Sequence, residues 1–124
     1  MSNVRVIDFA NSGAEPTERY LSELPDRVFE GNPHHTTEIH FESPDNKTLM
    51  AGTWTSTPGK WHVFTDRDEF CYFISGHAQL VSEDGTAQTF KGGDAFLIPN
   101  GFRGHWNVIE TTKKYFIVRH VPPA

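Results

Sequence analysis

Two stretches decide the fold: Glu69-Phe70-Cys71-Tyr72-Phe73-Ile74-Ser75-Gly76 and Gly93-Asp94-Ala95-Phe96-Leu97-Ile98-Pro99-Asn100-Gly101. Each carries a short aromatic-rich apolar run that ends in glycine or in Pro-x-Gly, the way strands run into turns. Gly76, Gly93 and Gly101 fall where a turn needs backbone freedom, and Pro99 closes its run by removing a ladder donor. The same texture extends outward from residue 35. Thr37 to Phe41, Thr48 to Thr55, Lys60 to Thr65, Glu69 to Ser75, His77 to Ser82, Thr86 to Phe90, Ala95 to Ile98, Gly104 to Ile109 and Lys114 to Val121 all read as short strands. Pro44-Asp45-Asn46, Pro58-Gly59, Asp84-Gly85 and Gly92-Gly93 punctuate them. Asp84-Gly85 predicts a two-residue hairpin turn with positive φ at both central positions. No helical period persists after residue 35. Many short strands at regular spacing make an all-β sandwich or barrel, and pattern alone leaves both open.

Residues 1–33 are less legible. Val4 to Phe9 alternates like a strand, and Glu15 to Leu21 predicts one helical turn with Pro16 near its start. The chain has 124 residues, enough for one domain with its own core. A net charge of −5 and scattered basic residues argue against a nucleic-acid partner, which would need clustered Lys and Arg. No apolar run is long enough for a membrane span, and the N-terminal residues lack a leader's apolar stretch. The single cysteine, Cys71, excludes an internal disulfide. Together these predict a cytoplasmic protein.

The two decisive stretches resemble the paired motifs of the cupin superfamily. The first usually ends Glu, six residues, Gly. The second runs Gly, five residues, Pro, one residue, Gly. Both spacings occur here in order. A finer resemblance is to small single-domain cupins of the (S)-ureidoglycine aminohydrolase type. It rests on Gly52-Thr53-Trp54, Pro58-Gly59-Lys60-Trp61, Glu69 to Gly76, Gly93-Asp94, Pro99 to Trp106 and Lys114-Tyr115. The resemblance implies an RmlC-like jelly-roll: one antiparallel β-barrel with a small-molecule pocket in its mouth. Residues 1–45 would be an N-terminal arm with edge strands, and 46–121 the barrel. It also implies a homodimer.

In metal-binding cupins, two His and a Glu come from the first motif and one His from the second. Here at most one His of the first pair survives, at His62, and the second-motif position falls on Gly104. Alternation turns His105 away from the face of Gly104 and Trp106. One carboxylate and one imidazole make a poor metal site, so no cofactor is expected. The alternative is a reduced divalent-metal set of His62, Glu69 and a His105 swung in by a bulge. His34, His35 and His40 read as solvated.

The expected site is an aromatic pocket. Glu69 and His62 are the candidate acid–base pair, because a carboxylate against apolar walls has its pKa raised. Trp54, Phe64, Phe73 and Trp106 are the candidate ligand-binding walls. Arg103, in a Gly-rich turn, would meet an anionic group at the rim; its alternative is a solvated surface arginine. Glu69 would instead be structural if it pairs with Arg103 or Lys114, while Lys114 has a local rival partner in Glu110. Cys71 reads as a small core thiol. Three functions stay open: an enzyme acting through Glu69 on a small nitrogenous or ureido metabolite, a non-catalytic ligand sensor, and a metal-dependent enzyme.

Overall fold

In a computed structural model that describes residues 4–121, every strand pairing is antiparallel and no α-helix occurs among the described residues. Residues 1–3, part of the leader reading, lie outside the described part. The strands are β1 Thr17–Tyr20, β2 Val28–Gly31, β3 His34–Glu42, β4 Leu49–Ser56, β5 Gly59–His62, β6 Arg67–Ser82, β7 Ala87–Lys91, β8 Ala95–Ile98 and β9 Gly104–His120. The long β9 organises the fold. One edge bonds β4 through its C-terminal half and β5 through its N-terminal half, and the other edge bonds β6. β3 and β1 extend the sheet beyond β4, β2 flanks β5, and β7 and β8 both pair with β6. The curled sheet is a jelly-roll barrel.

Inside and outside follow from period-two alternation. On β9 the residues Trp106, Val108, Thr112, Lys114, Phe116 and Val118 are buried, while their neighbours face out. On β6 the inward set is Glu69, Cys71 and Phe73, opposite Val118, Phe116 and Lys114; farther along it is Ala78 and Leu80, opposite Val108 and Trp106. The parity changes because the register slips between Phe73 and Ala78, around Gly76 at φ 108°. A Cβ at Gly76 would stand 2.4 Å from Thr112 Oγ1 and 2.5 Å from Thr112 Cα, so only glycine fits. The sequence reading took Gly76 as a turn between two strands. It is a bulge inside one strand, and the two runs it separates are a single ribbon. Likewise the runs Gly104 to Ile109 and Lys114 to Val121 join through Thr111-Thr112 in the one strand β9, which ends at His120.

Other expectations are corrected. Glu15 to Leu21 is not a helical turn: Thr17–Tyr20 pairs with β3 as an edge strand, followed by a 3-10 turn at Leu21–Glu23. Val4 to Phe9 is not a strand, and a short 3-10 turn follows at Phe9–Asn11, capped by the Asp8 carboxylate. The β6–β7 loop is not a two-residue turn. Only Gly85 has positive φ, Ser82 N–H bonds the Thr86 carbonyl, and Asp84 accepts from Ser82 Oγ and Thr86 N–H. Those bonds hold the Asp84 carboxyl down at about 2. β3, placed in the N-terminal arm by the sequence reading, lies between β1 and β4 inside the sheet.

Candidate functional site

The barrel encloses a cavity of about 190 Å³. Its floor comes from β4, β5, β6 and β9, the strands with the clearest alternation. Trp61 on β5 stands opposite Trp106 on β9, and Trp54 on β4 stands opposite Lys114. Directly opposed residues share a sheet face, so the three indoles converge. Trp61 and Trp106 stack with centroids 6.1 Å apart, and Trp54 lies 6.0 Å from Trp61 and 5.8 Å from Trp106. Ile39, Met50, Phe116 and Val118 complete an apolar side.

Into this aromatic wall the fold sets an ion pair. Lys114 Nζ lies 2.6 Å from Glu69 Oε2, 4.2 Å from the Trp54 ring centre and 4.4 Å from that of Trp106. Two indole faces and one carboxylate thus solvate an ammonium that water barely reaches. Burial alone pulls the Lys114 pKa down, but Cys71 and Glu69 at its tip more than reverse this, and it stands above the ordinary lysine value. Cys71 Sγ lies 3.4 Å from Glu69 Oε2 and 3.6 Å from Lys114 Nζ. Burial pushes its thiol well up, as suits a core thiol and not a nucleophile. Both hydrogen bonds that Glu69 accepts fall on Oε2.

The second polar group is His35 on β3, 7% exposed. Trp54 Nε1–H, which can only donate, gives a 3.2 Å hydrogen bond to His35 Nδ1. Nδ1 is therefore the acceptor and the ring proton sits on Nε2. That Nε2–H is buried with no partner among the described residues. Burial, with the positive charge of Lys114 and Arg19, drops the His35 pKa from 6.5 to about 3, so the ring is neutral at physiological pH. At the cavity edge, Arg27 and Arg67 clasp the Phe64 ring at 3.9 and 4.6 Å from its centre, and Arg67 pairs with Asp66 at 2.8 Å.

The structure places Glu69, Trp54, Phe64 and Trp106 on this cavity. Phe73 is fully buried behind Trp106, stacked on it at 6.2 Å, and belongs to the core instead of the cavity wall. His62 is not Glu69's partner. It faces outward opposite His105, and both rings pack on Phe29 with centroids 4.9 Å away. β5 ends at His62, and the exposed His62 ring does not share the cavity side of Phe64. Arg103 is exposed, and its carbonyl accepts from Glu83 N–H; it does not reach the cavity. Lys114 pairs with Glu69, not with Glu110. Residues missed at first are Trp61, Arg19, Thr37 and, above all, His35, which had been grouped with solvated histidines. Its neighbours also have partners: His40 bonds Thr53 Oγ1 at 2.8 Å, and His34 lies 3.8 Å from Glu18.

A cupin-type metal does not fit these residues. His62 and His105 lie on the outer face while Glu69 lies within, so the alternative ligand set is not assembled. No group of three or more potential His, Cys, Asp or Glu ligands converges among the described residues. At Gly104, where a second-motif ligand would stand, even a Cβ would lie 2.1 Å from the Val81 carbonyl oxygen. The positive charge beside Glu69 is the lysine ammonium. Nor is any described helix long and apolar enough to cross a membrane.

No curated protein matches the chain in sequence. Among solved structures, a protein of unknown function from Pseudomonas syringae, of the DUF861 family, superimposes with a TM-score of 0.73 at 23% identity, covering 87% of this chain and 46% of that one. This chain therefore spans under half of that relative. The Clostridium difficile EutQ protein gives 0.64 at 18% identity, covering 85% and 82%. Ectoine synthase from P. lautus gives 0.60 at 12% identity, covering 84% and 78%. These likenesses establish the fold and not an activity. The family model for the EutQ-like cupin domain matches residues 45–116, more than half the chain. With its jelly-roll barrel and its two motifs in order, the chain belongs to the EutQ-like cupin domain family.

Proposed function

We propose that the protein is a small-molecule-binding cupin that holds one small polar metabolite in its barrel cavity, against the Lys114–Glu69 pair. The observation that carries this is the buried ion pair walled by Trp54 and Trp106. Charged groups are seldom kept in an aromatic hollow without a role in recognition or chemistry. Glu69 Oε2 already accepts from Lys114 and Cys71, and an oxygen so engaged favours binding over acid–base catalysis. Should a reaction occur, Glu69 acts with Lys114, not His62, as its partner. The motif likeness to ureidoglycine aminohydrolases is the reason for placing ureido and other nitrogenous compounds in the ligand panel. No metal or cofactor takes part in this reading, and the protein is assigned to the cytoplasm.

All three tryptophans line the cavity, so intrinsic fluorescence reports its occupancy directly. A true ligand saturates that signal, and at a hundredfold excess over Kd it stabilises the fold by about 2.7 kcal/mol. Turnover that is lost in Glu69→Gln identifies an enzyme; binding without turnover identifies a sensor or carrier. A metabolite panel that changes neither fluorescence nor melting temperature refutes the reading.

The homodimer is proposed on a separate observation. On the outer face Phe70 stands opposite both Leu97 and Ile117, and these are 42%, 58% and 43% exposed. Tyr72 and Ile74 continue the row along β6. A contiguous apolar sheet face of this kind suits an isologous contact with a second copy. Phe70→Glu is expected to weaken self-association about thirtyfold or more in sedimentation. A wild-type protein that sediments as a monomer at high micromolar concentration removes the proposal.

A further inference from the structure

We propose that Arg19, His35 and Thr37 form an anion-recognising wall of the cavity, and that the ligand carries a carboxylate. This deepens the reading of the cavity as a metabolite site and rests on it.

The geometry begins with the sheet. Arg19 on β1 is the direct partner of His35 on β3, and Thr37 lies two residues farther along β3, opposite Trp54. Opposed residues share a face, as do residues two apart, so all three turn to the cavity that they line. The indole of Trp54 fixes the His35 tautomer, with Nε2–H as a donor. That donor has no acceptor among the described residues. Native folds rarely bury a donor unpaired, and His35 lines the cavity, so an occupant that brings an acceptor to this ring supplies the missing partner once it displaces the groups covering Nε2.

The charges then choose the acceptor. Lys114 is answered by Glu69, and Arg67 by Asp66. Among the described residues no ion pair takes up Arg19, which leaves a guanidinium as the uncompensated charge on the cavity. A guanidinium beside a neutral imidazole N–H is a donor set for a carboxylate. It offers nothing to an ammonium. Ile39, Met50, Phe116 and Val118 line the same cavity and suit a short apolar tail. The three polar residues also lie outside the segment 45–116 that matches the family. The family segment thus supplies the tryptophans and the ion pair, while this chain's own N-terminal strands supply the selection.

The test uses three probes of similar shape on the full chain: isobutyrate, isobutyramide and isobutylamine. Each is titrated against tryptophan fluorescence. Isobutyrate is expected to bind about tenfold or more tightly than isobutyramide, and isobutylamine not to saturate. His35→Phe and Arg19→Met should each weaken isobutyrate at least about fivefold, and His35→Gln, which restores an N–H donor, should recover much of the loss. Arg19 is exposed, so its variant remains informative if the His35 variants fold poorly. Equal binding of the amide or amine overturns the proposal, as does undiminished isobutyrate affinity in both Arg19→Met and His35→Phe. If isobutyrate fails while a neutral or cationic metabolite saturates the signal, the carboxylate wall falls and the binding cavity stands. If no compound of any charge enters, both fall.

Discussion

Lys114→Met destabilises the protein by about 3 kcal/mol, because it strips the counter-charge from a carboxylate that has little water to fall back on. Methionine keeps most of the lysine stem and can still lie against Trp54 and Trp106, so the loss reports charge more than packing. Against a total stability of about 5–15 kcal/mol this is a large fraction. Glu69→Gln runs the same experiment from the other side and leaves a buried ammonium, which is only 5% exposed in its side chain, without a counter-charge, against two indole faces, the Cys71 sulfur and a neutral amide oxygen. The double variant Lys114→Met/Glu69→Leu should regain most of the loss, since an apolar pair of similar volume removes both desolvation costs. Urea unfolding of wild type, Lys114→Met, Glu69→Leu and the double variant closes the cycle. A single-variant loss below about 1 kcal/mol would place the pair among ordinary exposed salt bridges and remove the argument for a desolvated site.

The same pair shows how far sequence reaches. Alternation carried the barrel correctly where a run is uninterrupted, even in the short β8, which pairs with β6 alone. Ala95–Ile98 is found at its expected bounds, and Glu69 and Trp106 line one hollow because both sit in uninterrupted alternating runs. It failed where the register slips. A glycine inside a strand and a glycine between strands look alike in sequence, so Gly76 was read as a turn; only the close approach of Thr112 tells them apart. It failed again at a strand's end, where His62, expected beside Glu69, faces outward opposite His105. For Lys114 a local partner four residues away, Glu110, competed with one 45 residues away. Local arithmetic cannot weigh that choice, because it depends on which β6 residues β9 meets. His35 lay in a stretch with no motif and three histidines. Its one legible signal was the run His34 to Phe41, which alternates well enough to be a strand beginning earlier than expected, at His34. Read that way, His35, Thr37 and Ile39 share a face.

Burial of His35 in its neutral form makes the protein acid-sensitive well above the range where carboxylates titrate. The ring's pKa is about 3 when folded and 6.5 when free, so below pH 6.5 the unfolded chain takes up a proton that the folded chain refuses. The sign follows directly: the contribution is whole above the unfolded value and is lost as pH falls toward the folded one. Between pH 7 and pH 5 the loss amounts to about 2 kcal/mol. Asp66, Asp68 and Asp84 also have lowered pKa values, but their effect begins near and below 3.8 and leaves this window clear. His105, lowered by its partial burial and by Lys60 and His62, adds to the slope in any protein that retains it. The difference between wild type and His35→Phe therefore isolates His35. Chemical denaturation at pH 7 and pH 5 should find the wild type losing about 2 kcal/mol more than the variant across that interval. Equal losses would mean that the ring charges in place, which the Trp54 hydrogen bond to Nδ1 forbids without a new orientation of the histidine. A bound carboxylate would change the slope as well, because an anion beside Nε2 lowers the cost of protonating the ring. Ligand-saturated protein should then be less acid-sensitive than ligand-free protein, whereas a neutral ligand in the same cavity leaves the slope as it is.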